Sequence, residues 1–304
     1  LKRFFTSFTL SLVLVATLVT PIFATPSVKN PEKINPEKII IEHLKQQGKN
    51  YSVGSEDYNM YIHNIPWNVD TSLSKHPEYD ELVIYAINYG KENMNKQIIQ
   101  KDAKAKQDKT ELSVQNVVAP MASTALSYNR QQVVNYAYNW TTNGGTKRNT
   151  NFDIYQNDCT NFGSQAWNGG GNVMRSQSSV PGGITQTTSY WYSFKRGTSF
   201  DVSTSWIRVV DFYGYWSGYR GVITSSYADT AFDKSILRNN AEPGDIVQLS
   251  PTGGGDKYHT MVVTKKDAND IYFTYHSGPN NLDVVDKPLA QITGNKFFLL
   301  VFGS

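Results

Sequence analysis

Gln156-Asn157-Asp158-Cys159-Thr160-Asn161-Phe162-Gly163-Ser164-Gln165 holds the one cysteine of a 304-residue chain, placed where a helix should begin. Asn157 or Asp158 suits the N-cap, which puts Cys159 in the first turn, and Gly169-Gly170-Gly171 supplies the stop. Working outward, Val133, Tyr136, Ala137 and Trp140 repeat at i, i+3, i+4 and i+7 and predict a preceding helix with one buried stripe. Downstream come four runs rich in β-branched and aromatic residues: Asp245 to Leu249, Thr260 to Thr264, Ile271 to His276 and Lys296 to Phe302. Asn269-Asp270 marks a hairpin turn between the middle pair. Helices followed by a run of strands give an α+β fold, its cysteine at a helix N-terminus packed on an antiparallel sheet.

A helix N-terminus offers partial positive charge and unpaired N–H groups, which stabilise an anion there. Only the thiolate of a cysteine attacks carbonyl carbon well, and a nearby imidazolium favours it further. His259, after the flexible Gly253-Gly254-Gly255-Asp256-Lys257-Tyr258, is the natural base. If the hairpin register allows, His276 stands beside it and accepts its second ring N–H, fixing the tautomer. An inert buried thiol is the plainer alternative. The polar neighbours Asn157, Asp158, Thr160 and Asn161 argue against it. A single cysteine allows no internal disulfide, and without CxxC or HExxH spacing no metal site is expected. Thiol–imidazole chemistry calls for no cofactor.

Lys2-Arg3, the apolar stretch Phe8 to Val19 and Pro21-Ile22-Phe23-Ala24 read as an export signal over residues 1–24. The formal net charge is +3, and losing the two charges of Lys2 and Arg3 leaves +1. That balance gives no electrostatic reason to bind nucleic acid. No later run reaches membrane-spanning length, so a secreted product without stable membrane insertion is expected. No arginine occurs between Arg3 and Arg130, whereas seven arginines and five of the six tryptophans follow Ser127. This shift separates a mainly helical region or spacer, 25–126, from a domain over 127–304. In the first part, Glu37 to Leu44 and Glu81 to Tyr89 predict amphipathic helices, and Lys91 to Lys109 an exposed helix or linker. His43, His63 and His76 read as surface residues.

Tyr128-Asn129-Arg130, Asp158-Cys159-Thr160-Asn161-Phe162, Ser164-Gln165, Gly169-Gly170, Ser205-Trp206, Pro243-Gly244-Asp245-Ile246-Val247, His259 and Tyr275-His276 together carry a family resemblance. The chain from Ser127 onward resembles the putative amidase domain family, related to the NlpC-type and CHAP cell-wall peptidases. The resemblance implies a papain-like core and hydrolysis of an amide bond, in cell-wall peptide or another amide substrate. It assigns Cys159 as nucleophile, His259 as base and His276 as the third polar residue, with Asp158 orienting the loop or serving the oxyanion site. Two other functions use the same scaffold: a non-catalytic wall-binding protein, and an acyltransferase employing the same Cys/His pair. Among the aromatics between the two segments, Trp206, Val209 and Phe212 or Tyr213 have helical spacing and should pack inward. Tyr215, Trp216 and Tyr219, beside glycines, are the candidates for an exposed substrate groove.

Overall fold

A computed structural model describes residues 34–109, 128–218 and 222–302. The expected signal, the composition boundary near residue 126 and Tyr219 lie outside the described residues. From Pro36 onward the chain forms one unit. Its first helix, α1 (Pro36–Gln46), buries Ile40 and Leu44 one turn apart. The second, α2 (Glu56–Asn64), starts where the Ser55 hydroxyl accepts the Tyr58 N–H at 3.2 Å, and buries Tyr58 and Ile62. The long α3 (Tyr79–Lys109) adds Leu82 and Ala86 to the same small core. The charged half of α3 is helix, as expected, but Met94 and Ala105 on it are buried. The described residues 34–109 pack as three helices on the rest of the unit.

In the second half, Asn129 caps α4 (Arg130–Asn139), accepting the Gln132 N–H at 3.0 Å. The cysteine helix follows as α5 (Cys159–Gly169), with Asp158 at its N-cap position. A small sheet of β1 (Ile184–Thr185), β2 (Ser193–Arg196) and β3 (Ser199–Ser203) leads into α6 (Thr204–Ile207) and α7 (Val209–Ser217). Then come β4 (Val222–Tyr227), α8 (Ala231–Asn240), β5 (Ile246–Pro251), β6 (His259–Lys266), β7 (Ile271–Tyr275), β8 (Val284–Pro288) and β9 (Asn295–Phe302). These last six strands pair in the order β4-β9-β5-β6-β7-β8, antiparallel throughout. The fold is α+β, as the sequence predicts.

Both faces of this sheet are covered. Ile246, Val262 and Leu300 point to a core shared with Phe162, Ala166 and Trp167 of α5. Val247, Leu249, Met261, Val263 and Phe273 point to a second core with Leu237 of α8. That explains why β5 and the first six residues of β6 are buried throughout, polar residues included, rather than alternating in exposure.

The shared core holds the cysteine helix against β6. Gly163 lies so close to that strand that a Cβ there would sit 2.9 Å from Thr260 Cγ2. The Thr160 and Thr260 hydroxyls bond each other at 2.9 Å across the same seam. Helix start and strand start are thereby locked in one register.

Candidate active site

Cys159 and His259 line one cleft whose free volume, counting its open mouth, is ≈ 1150 Å³. The thiol is only 4% exposed. Its polar neighbours are the Thr160 hydroxyl at 3.8 Å and the backbone of Thr260, the residue next to His259. Burial pushes the thiol up to about 11, against the Thr260 and Thr160 contacts that favour its anion. The expected lowering by the helix end is thus reversed. Desolvation outweighs the helix N-terminus here, and buried Asp158 adds negative charge beside the sulfur.

His259 opens β6 and is 2% exposed. Burial pushes its imidazole well below the ordinary range, with His63 nearby acting in the same direction. The resting pair is therefore a neutral thiol and a neutral imidazole. Nε2 of His259 is buried with no hydrogen-bond partner.

His276 is not the partner of His259. Val262 pairs with Thr274, so counting two residues along the antiparallel pair brings His276 level with Thr260. The two histidines then fall on opposite faces of the sheet. Facing α5, the His276 ring stacks on Phe162 at 4.0 Å. Its Nδ1 bonds Asp158 Oδ2 and its Nε2 bonds the Trp140 carbonyl, each at 2.7 Å. Arg148 completes the cluster, at 3.2 Å from Asp158 and 2.7 Å from Asp283. Asp158, Asp283, Arg148 and His276 form one buried group beside the cysteine.

Asp158 is the hub of that group. Its side chain does not cap α5 in the usual manner. Oδ1 instead accepts the Tyr155 N–H at 3.2 Å and the Asn161 amide at 2.8 Å, while the Asp158 N–H is held by Ser277 Oγ at 2.8 Å. Such bonds tie the loop before Cys159 to the start of α5 and to Ser277. The other polar residues of the motif are equally committed. Asn161 accepts Trp206 Nε1 at 2.9 Å, Ser164 accepts Trp191 Nε1 at 3.0 Å, and Gln165 accepts the Tyr136 hydroxyl at 2.6 Å.

Tyr215 and Trp216 do not line an exposed groove. They are 6% and 2% exposed and share a core cluster with Trp167, Trp191 and Phe212. Phe212, Tyr215 and Trp216 recur at i, i+3 and i+4 on α7, so the helix turns all three inward. Trp206 and Phe212 pack inward as expected.

One wall of the cleft comes from the N-terminal helices, where no site residue is expected from the sequence. Met60 and His63 of α2, Trp67 after it, and Gly90 and Met94 of α3 all line it. His63 is half-buried instead of on the surface, and its Nε2 bonds the Gly278 carbonyl at 2.9 Å. No helix is predicted from the sequence at α2, although Ser55 as cap, Glu56-Asp57 in the first turn and the Tyr58–Ile62 pair fit one. None of them signalled proximity to the cysteine.

Residues 127–301, more than half of the chain, match the Putative amidase domain, so this protein belongs to that family. The family description points to amidase activity, hydrolysis at a C–N bond. No curated protein and no solved structure matches the chain.

Proposed function

We propose that this protein is a secreted cysteine amidase that hydrolyses an amide bond in cell-wall peptide. The observation that carries the reading is that Cys159, in the first turn of α5, and His259, with its unpartnered nitrogen, line the same cleft. Because both groups rest neutral, His259 acts as a general base as the sulfur attacks, not as half of a standing ion pair. The S–C bond forms, the proton passes to the imidazole, and the carbonyl oxygen gains the charge. N–H groups of the first turn of α5 face that oxyanion. His259 then returns the proton to the departing amine, and water attacks the thioester to release the acid and restore the thiol. The helix on an antiparallel sheet supports the papain-like reading, and the relation to cell-wall peptidases supports the substrate.

Purified peptidoglycan is incubated with wild type and Cys159→Ala and analysed by mass spectrometry. Wild type should release products with new amine and carboxyl ends, and the variant should release none. Equal products from both would sink the reading. Deep burial of the thiol favours a second reading, a wall-binding protein on the same scaffold. That one expects equal wall binding by both proteins and no new ends.

A further inference from the structure

Where a hydrogen-bonded third residue would orient the base, His259 has an unpartnered Nε2 and two aromatic rings. Trp67 and Tyr275 stack in parallel, 5.6 Å apart with 4° between their planes. The imidazole stands perpendicular to both: 4.7 Å and 87° to Trp67, 4.8 Å and 83° to Tyr275. Edge-to-face contact of this kind has a preferred geometry, so the aromatic pair restricts the ring where no hydrogen bond does. Tyr275 is a core residue of β7. Trp67 belongs to the 3-10 turn Ile65–Trp67 between α2 and α3, outside the family-matched segment.

That turn is itself held in place. The Tyr79 hydroxyl donates to the Ile65 carbonyl at 2.6 Å, and the Asn68 N–H closes the turn on the same carbonyl at 3.0 Å. Just before it, Asn64 exchanges two hydrogen bonds with Asn280, at 2.8 and 2.7 Å, while His63 holds Gly278. The position of Trp67 is thereby fixed to the loop that follows β7.

We propose that Trp67 is the positioning residue of His259, which makes the N-terminal helices part of the catalytic unit. The proposal rests on the reading of His259 as the base. Full-length protein carrying ¹³C-labelled histidine is prepared as wild type, Trp67→Leu, Trp67→Phe and His259→Gln, the last assigning the His259 ring resonance by its loss. In Trp67→Leu that resonance should move and its titration shift toward that of a free imidazole. On purified peptidoglycan, kcat should fall roughly tenfold to a hundredfold with KM altered less. Trp67→Phe, which keeps a ring at the contact, should recover most of the rate while still moving the resonance.

An unmoved His259 resonance in either Trp67 variant overturns the proposal. So does a gain in activity, which would make Trp67 an obstruction. If Trp67→Leu does not fold, Trp67→Phe decides by the same resonance. Full activity in His259→Gln would remove the base reading instead, and the resonance comparison would still report whether Trp67 holds the ring.

Discussion

Asp158 shows how one side chain can be decisive for a site without facing it. It receives Arg148, His276, Asn161 and the Tyr155 N–H, and its own N–H is fixed by Ser277. Removing a buried carboxylate that Arg148 and several hydrogen bonds hold leaves its partners uncompensated, at a cost of roughly 3–5 kcal/mol. Asp158→Asn should therefore lose about that much stability in denaturant unfolding. A loss under ~1 kcal/mol would mean that the cluster is not the tie described here. The polar residues around Cys159 argue, in the sequence, against an inert buried thiol. Buried hydrogen bonding demands polar residues just as strongly, and composition does not separate the two. The place of the thiol in the first turn of a helix was legible, and its burial was not.

At the scale of elements, the family motifs are packing devices. Gly244, between Pro243 and Asp245, has φ +98°, and a Cβ there would sit 2.9 Å from that of Arg130. Its carbonyl accepts the Tyr128 hydroxyl at 2.5 Å and Trp167 Nε1 at 2.9 Å, while Arg130 reaches Asp245 at 2.6 Å. Three distant motifs thus close into one latch joining α4, α5 and β5. Gly163 is the corresponding close approach of α5 to β6. Gly163→Ala should force the two apart, costing roughly 1–3 kcal/mol, and lower activity by moving Cys159 away from Thr260. Unchanged stability and rate would show that the seam has slack. Four of the six large-sheet strands and the hairpin were legible, because these central strands are rich in β-branched and aromatic residues. The two missed, β4 and β8, are the edges, where one side lacks a neighbour and the apolar signal thins. Register was equally invisible, since one residue of offset decides whether His276 meets His259 or Asp158.

Across the molecule, the site is assembled from both halves of the sequence. On α3, Gln97 holds Gln156 at 2.6 Å, Lys101 holds Asp153 at 2.7 Å, and Lys91 pairs with Asp256. One helix therefore braces the loop before Cys159 and the loop before His259. Stability should respond to pH at both ends through these two groups. The lowered imidazole stabilises the fold above its unfolded value near ~6.5 and ceases to do so as pH falls through its folded value. The raised thiol contributes fully below its unfolded value near ~8.5, a contribution lost as pH rises to about 11. Thermal midpoints should decline toward both extremes. His259→Gln should flatten the acid limb and Cys159→Ala the alkaline one, and limbs unchanged in both variants would refute the assignment.

The place of β9 in the sheet has a consequence for biogenesis. It is the last strand in chain order, yet it lies between β4 and β5. A nascent polypeptide halted before Asn295 has nothing to join those two strands, and Phe297 and Leu299 are missing from the core behind β6. Its contacts span long stretches of sequence, so the sheet closes late. A ribosome that has already released Cys159, His259 and His276 is still holding an unfinished sheet.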